Sequence, residues 1–145
     1  MKNTSYRLSK LIAFFLSLSF LYSAHAEDAH TLYLDTKDGR ITIQLRPDLA
    51  PKHVERIEKL AKEHFYDGIV FHRVIEGFMA QAGDPTGTGL SGSRYLDLKA
   101  EFTDTPFKRG SLGMARDPSD KDSANSQFFI CLADQPQLKI GRAHV

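Results

Sequence analysis

The stretch FHRVIEGFMAQAGD, residues 71–84, is rich in Phe, Val, Ile and Met, yet it carries Arg73 at its centre and Gln81 near its end. Apolar runs of this kind predict buried strands, whereas Arg and Gln are rarely buried without polar partners. Arg73 is therefore either a solvated residue on the outer face of a strand or a charge directed into an apolar cleft.

Regular elements are predicted upstream of this stretch. Residues 31–45 alternate apolar and polar side chains on both sides of an Asp38–Gly39 turn, which predicts a β-hairpin. Residues 50–68 then predict one amphipathic helix with Pro51 at its first position and Gly68 beyond its end. The apolar face of this helix comprises Val54, Ile57, Leu60 and Ala61.

Short apolar runs dominate the rest of the chain. They cover residues 69–75, 78–84, 110–116 and 126–132 and are separated by Gly, Pro, Asp and Ser. Short strands with regular turn signals predict an antiparallel barrel or sandwich.

The first 26 residues predict a secretory signal peptide. Lys2, Arg7 and Lys10 precede a short apolar stretch, and the sequence AHA then offers a cleavage site after Ala26. An uncleaved membrane anchor is the alternative, but the apolar stretch is short for a membrane span. We expect an exported protein in a bacterial periplasm, with a secretory lumen or the extracellular space as alternatives, and no stable membrane association after cleavage.

Net charge and cysteine content limit the classes of function that the sequence predicts. Removing residues 1–26 leaves 119 residues and removes three positive charges, which changes the formal net charge from +1 to −2. A chain without a basic excess is not expected to bind nucleic acid. Cys131 is the single cysteine and lies in an apolar run, so it predicts a buried, inert thiol rather than a catalytic one.

Three segments together resemble a known family. FHRVIEGFMAQAGD, GSLGMAR and NSQFFICL, in this order and after a hairpin and a helix, are similar to the cyclophilin-type peptidyl-prolyl cis-trans isomerases. The resemblance runs from about Thr31 to Leu138. It implies a mainly β fold, a closed eight-stranded antiparallel β-barrel with flanking helices, whose substrate groove lies on the outside because side chains fill the interior.

The resemblance also implies roles for individual residues. Arg73 matches the arginine that donates a hydrogen bond to the prolyl nitrogen, and Gln81 matches the neighbouring residue that holds the substrate backbone. This places Arg73 in a cleft, and both residues are predicted to be catalytic. The predicted substrate-binding residues are Phe78, Met79, Ala115, Gln127, Phe129 and Leu138.

Isomerisation breaks no covalent bond, so no metal or other cofactor is expected. The loop GDPTGTG lacks the Gly-Lys-Ser/Thr ending of a phosphate loop, and nucleotide binding is rejected. His53 and His64 are too far apart to share a metal ion and are expected to be solvated. His72 is expected to point away from Arg73 by strand alternation and to be structural.

The end of the chain departs from the family pattern. After QFFICLAD the family continues through further strands and a closing helix, whereas this chain reads QPQLKIGRAHV. We expect an isomerase domain at residues 27–139 that lacks its last strands and C-terminal helix, and a sequencing-adapter artefact at residues 140–145.

These observations support three alternative functional hypotheses. The first is a monomeric prolyl isomerase that acts on proline-containing polypeptides during the folding of exported proteins. The second is a non-catalytic cyclophilin-like module that binds proline-containing segments. The third is a fragment that is inactive because of the truncation.

Overall fold

The computed structural model describes residues 30–138. The predicted signal peptide, residues 1–26, and the predicted artefactual tail, residues 140–145, lie outside the described residues. The elements in chain order are β1 (Thr31–Thr36), β2 (Gly39–Gln44), α1 (Pro51–Lys62), β3 (Arg73–Ile75), β4 (Met79–Ala82), β5 (Leu112–Met114), β6 (Phe128–Cys131) and a 3-10 turn (Pro136–Leu138).

The predicted hairpin is confirmed. Strands β1 and β2 pair antiparallel, and the last pair, Thr36 with Gly39, leaves Lys37 and Asp38 as the turn, one residue earlier than predicted. Gly39 has a φ of +134°, a conformation that glycine adopts without steric cost. Leucines of β1 lie opposite isoleucines of β2, so the hairpin has one apolar face.

The predicted helix is confirmed with Pro51 as its first residue, but α1 ends at Lys62, before the expected end next to Gly68. Val54, Ile57 and Leu60 are buried on one face, while Ala61 is partly buried. The burial of this face stabilises the helix more than its intrinsic propensity does.

The start of α1 corrects one expectation. His53 is 1% exposed rather than solvated, because its Nδ1 lies 2.6 Å from the Glu101 Oε2 atom. The same carboxylate accepts the backbone N–H groups of Lys52 and His53, so it caps the N-terminus of the helix. His64 is exposed just past the helix, as expected.

The second sheet has the strand order β3-β4-β6-β5 and is antiparallel throughout. Its register aligns four residues in one row: Arg73 opposite Gln81, Gln81 opposite Phe129, and Phe129 opposite Gly113. Directly paired residues point to the same face of a sheet. The row therefore places an arginine, a glutamine and a phenylalanine side by side.

Two apolar clusters lie on the two faces of this sheet. The helix-side cluster packs α1 and the hairpin against Ala82, Leu112, Met114 and Phe128. The cleft-side cluster comprises Met79, Phe107, Phe129 and Cys131, with Phe78, Ala115 and Leu138 packed against it. The Cys131 thiol is buried, as predicted.

The expected closure of the barrel is not confirmed. Residues 30–138 form one sheet of two strands and one of four strands, and neither of them closes on itself. The fold of this part of the chain is mainly β with one α-helix. Within the same residues, no helix combines the length and the apolar character needed to cross a membrane.

Candidate active site

A cleft of about 470 Å³ brings together seven of the eight predicted site residues. These are Arg73, Phe78, Met79, Gln81, Ala115, Phe129 and Leu138. Gln127 lines an adjoining cleft of about 430 Å³, which shares Gln81 and Ala115 with the first. Residues from strands β3, β4 and β6 and from the 3-10 turn thus meet at one site.

Arg73 lies in the cleft wall and its side chain is exposed to solvent. Its position therefore combines both interpretations, a solvated strand residue and a charge directed into the cleft. Its Nη1 atom donates a hydrogen bond to Gln81 Oε1 across the β3–β4 pair, with a distance of 3.3 Å. The guanidinium has five N–H donors, so most of them remain available to a ligand.

Gln81 and Gln127 extend this contact away from the arginine. The amide nitrogen Nε2 of Gln81 donates to Gln127 Oε1 at 2.9 Å. The Nε2 of Gln127 in turn donates to the backbone carbonyls of Gly89 (3.0 Å) and Ser91 (2.8 Å). Gln127 therefore links the sheet to the loop at residues 83–92, which begins with GDPTGTG.

The floor of the cleft is apolar. Met79 and Phe129 are 3% and 4% exposed, and the Phe129 ring packs on Phe107 with ring centroids 5.6 Å apart. Gly113 makes this packing possible, because an added Cβ would lie 2.7 Å from ring atoms of both phenylalanines. A contact this short would displace one of the rings.

The loop at residues 83–92 holds a carboxylate of its own. Asp84 is fully buried, and its oxygens accept hydrogen bonds from the backbone N–H groups of four loop residues and from two threonine hydroxyls. The donors are Thr86, Thr88, Gly89 and Ser91. Burial raises the pKa of Asp84, but these hydrogen bonds outweigh burial and hold the pKa below its usual range.

The expected direction of His72 is corrected, whereas its structural role stays a prediction. It lines the same cleft as Arg73, because β3 begins at Arg73 and the alternation of a strand does not extend to residue 72. Its ring lies against Gly89, and neither buried ring nitrogen has a hydrogen-bond partner among the described residues.

A family model for "Cyclophilin type peptidyl-prolyl cis-trans isomerase/CLD" matches residues 31–145. The chain belongs to this family. As a cyclophilin-type protein it is a peptidyl-prolyl cis-trans isomerase, the enzyme named for its curated relatives.

Two relatives and one solved structure illustrate the similarity of this cyclophilin. A probable peptidyl-prolyl cis-trans isomerase of Brucella suis is 49% identical over 135 residues, which cover 85% of this chain and 68% of the relative. Peptidyl-prolyl cis-trans isomerase B of Bacillus subtilis is 46% identical over 111 residues, covering 74% and 76%. The crystal structure of a Cryptosporidium parvum cyclophilin, obtained in the presence of the dipeptide Ala-Pro, has a TM-score of 0.73 at 31% identity, covering 78% of this chain and 73% of that one.

Sequence reasoning missed two residues that shape the cyclophilin cleft. Asp84 organises the loop beside Arg73, as described above. Gln135 is buried, and its amide donates to the carbonyls of Gly77 and Phe78, which fastens the segment carrying Leu138 to the β3–β4 turn. A lone polar residue after an apolar strand gives no pattern, so nothing in the local sequence identifies Gln135. Asp84 ends the stretch FHRVIEGFMAQAGD and begins the loop rejected as a nucleotide site, but neither pattern assigned it a role.

Among residues 30–138, no group of three or more His, Cys, Asp or Glu side chains is arranged to hold a metal ion. The groups that line the cleft are hydrogen-bond donors, acceptors and apolar surfaces.

Proposed function

We propose that this cyclophilin accelerates rotation about X–Pro bonds in polypeptides exported from the cell, with Arg73 as the catalytic donor. The observation that supports the proposal most strongly is the row of Arg73, Gln81 and Phe129 across three paired strands. It aligns a cationic donor, a polar group for the backbone and an apolar floor along one face.

The chemistry of the bond explains the need for such a donor. The partial double bond of a peptide opposes rotation with a barrier of ~18–20 kcal/mol, because the nitrogen lone pair is delocalised into the carbonyl. When the amide twists, that lone pair localises on the prolyl nitrogen and can accept a hydrogen bond. An N–H group of Arg73 that donates only to the twisted state stabilises the transition state and leaves the ground state unaffected.

The other groups hold the substrate in place. Phe78, Met79, Phe129 and Leu138 form an apolar socket that fits a proline ring. Gln81 uses one N–H for Gln127 and accepts one bond from Arg73, which leaves its second N–H for the substrate backbone. Fixing the ring while the flanking backbone is held restricts rotation to the bond that isomerises.

Two observations support the substrate class and the place of action. The C. parvum cyclophilin was crystallised in the presence of Ala-Pro, which favours proline-containing polypeptides as substrates. The pattern of residues 1–26 favours export to the periplasm, where we propose that the protein acts as a monomer. A reaction that needs no energy input suits a compartment without ATP.

The catalytic part is tested by NMR exchange on a tetrapeptide that contains one proline. The parent protein is expected to accelerate cis–trans exchange, and Arg73→Ala is expected to bind the peptide with little acceleration. Binding by the parent without faster exchange would contradict catalysis and support the binding module.

The place of action is tested by cell fractionation and intact mass. A periplasmic species that begins at Glu27 supports export, whereas a full-length membrane-bound species would identify an uncleaved anchor. Recovery from the cytoplasm at full length would contradict the export proposal.

A further inference from the structure

Two side chains hold the same two loop residues from opposite sides. The N–H groups of Gly89 and Ser91 donate to Asp84 Oδ2 at 2.6 and 3.3 Å. The carbonyl oxygens of the same two residues accept from Gln127 Nε2. The position of the loop is thus set jointly by a buried carboxylate and by a side chain at the edge of the cleft.

The donor and acceptor directions are fixed at both ends of this arrangement. Backbone carbonyls only accept, so Gln127 must turn its NH₂ group to the loop and its oxygen to Gln81. Gln81 must then turn its NH₂ group to Gln127 and its oxygen to Arg73, which only donates. The observed bonds follow this direction at every step, and the chain of contacts has one consistent polarity.

The segments that carry Asp84 and Gln127 are in close contact. Ser126, next to Gln127, donates through its hydroxyl to the carbonyl of Gly83, next to Asp84, at 2.7 Å. Gly83 has a φ of +96°, and an added Cβ would lie 2.3 Å from the Ser126 carbonyl oxygen. Asp84 and Gln127 therefore extend from two segments in close contact, and both hold Gly89 and Ser91.

We infer that Asp84 is a positioning residue for Arg73, acting through the loop, Gln127 and Gln81. The inference rests on the proposed function of Arg73 and extends it. Arg73 is exposed, and its one hydrogen bond within residues 30–138 is to Gln81, so the orientation of the guanidinium depends on that amide. A donor that is held in advance loses less freedom when the transition state forms.

The principal test is Asp84→Asn, assayed for kcat and KM on a proline tetrapeptide. We expect kcat to fall about tenfold with KM changed less than twofold, because small misplacements of a catalytic group lower rates by up to ~100-fold. In a Gln127→Met background the effect of Asp84→Asn should fall below twofold, since the connection to Arg73 is already broken. A merely structural role would give the same loss in both backgrounds and would overturn the inference.

Asp122→Asn is the matched control. Asp122 also accepts a loop N–H group, from Ala100 at 2.9 Å, but lies outside the Asp84–Gln127 contacts. Its replacement should leave kcat and KM unchanged. If Asp84→Asn does not fold, Thr86→Val removes one hydroxyl donor to Asp84 and should lower kcat about twofold, again only when Gln127 is present.

A readout independent of turnover separates this inference from the proposed function. The 15N relaxation of the Arg73 Nε–H group should show greater mobility in Asp84→Asn, or in Thr86→Val, than in the parent. Unchanged mobility overturns the inference even where Arg73→Ala is inactive. Full activity of Arg73→Ala would overturn the proposed function, and the catalytic meaning of the inference with it.

Discussion

Two carboxylates, Glu101 and Asp84, show how similar hydrogen bonding to backbone N–H groups can have different consequences. Glu101 accepts backbone N–H groups at the start of α1, beside the helix-side cluster. Asp84 accepts backbone N–H groups of the loop that lines the cleft. Both carboxylates stabilise local structure. The N–H groups bound by Glu101 belong to α1, which packs into the core. The loop bound by Asp84 contacts Gln127, which is connected through Gln81 to Arg73.

The consequence of a carboxylate that binds backbone N–H groups therefore depends on which residues those groups contact in turn. On the helix side we expect substitutions to change stability alone. On the cleft side we expect them to change catalysis, with stability affected only where the side chain is also part of the core.

The largest effect is expected for Phe129→Ala, since Phe129 belongs to both the core and the cleft floor. The free energy of unfolding should fall by ~3–5 kcal/mol, and kcat/KM should fall as well, because a cavity replaces the floor under the proline ring. Chemical denaturation and the peptide assay measure the two effects.

Ile57→Ala is the matched helix-side control, since Ile57 is as deeply buried in α1. It should cost ~2–5 kcal/mol of unfolding free energy and leave kcat/KM of the folded protein unchanged. A comparable loss of kcat/KM in this variant would show that the two sides are not separate.

Arg73→Ala should give the next largest effect, with catalysis lost and stability retained. Removal of one transition-state donor typically lowers catalysis by ~10²–10³-fold, and we expect this loss in kcat/KM. An exposed side chain contributes little to folding, so the unfolding free energy should change by less than ~0.5 kcal/mol.

Arg73→Lys sharpens this prediction, because a lysine keeps the charge but lacks the planar fork of donors. It should also be a poor catalyst. Activity near the parent level in both variants would exclude the assigned role of the guanidinium.

Glu101→Ala should lower the unfolding free energy by ~1–3 kcal/mol, because it leaves helix N–H groups and the buried His53 ring without their acceptor. The kcat/KM value should stay within twofold of the parent. Denaturant titration and the peptide assay on the same sample test this contrast with Asp84→Asn.

Acid should reduce the contribution of both Glu101 and Asp84 to the unfolding free energy. Burial raises the pKa of Glu101, but the hydrogen bonds from His53 and Lys52 outweigh it and hold the pKa below its usual range, as at Asp84. Carboxylates with lowered folded-state pKa values stabilise the protein above the unfolded values of about 4. That contribution is lost as the pH falls through the folded-state values.

Unfolding free energies measured between pH 5 and pH 2.5 should therefore decrease with acid. The decrease should be shallower in Glu101→Gln, whose side chain cannot titrate. An identical acid slope in this variant and the parent would exclude Glu101 as a contributor.

Local sequence determined a substantial part of this protein. Alternation fixed the faces of the β1–β2 hairpin, and the helical period fixed Val54, Ile57 and Leu60 as the buried face of α1. The resemblance selected residues that the structure brings to one cleft, because Arg73 and Gln81 lie on strands joined by a short turn.

Tertiary structure alone decided the rest. His53 is buried because Glu101, 48 residues away in the chain, supplies its partner. His72 faces the cleft because β3 begins one residue later, and Gln135 reaches the β3–β4 turn from more than fifty residues downstream. The closed barrel predicted from the family is not confirmed within residues 30–138, whose strands form two separate sheets. Closure depends on pairing between distant strands, which a local pattern does not specify. A local pattern specifies which face a residue occupies, whereas its partners are set by long-range packing.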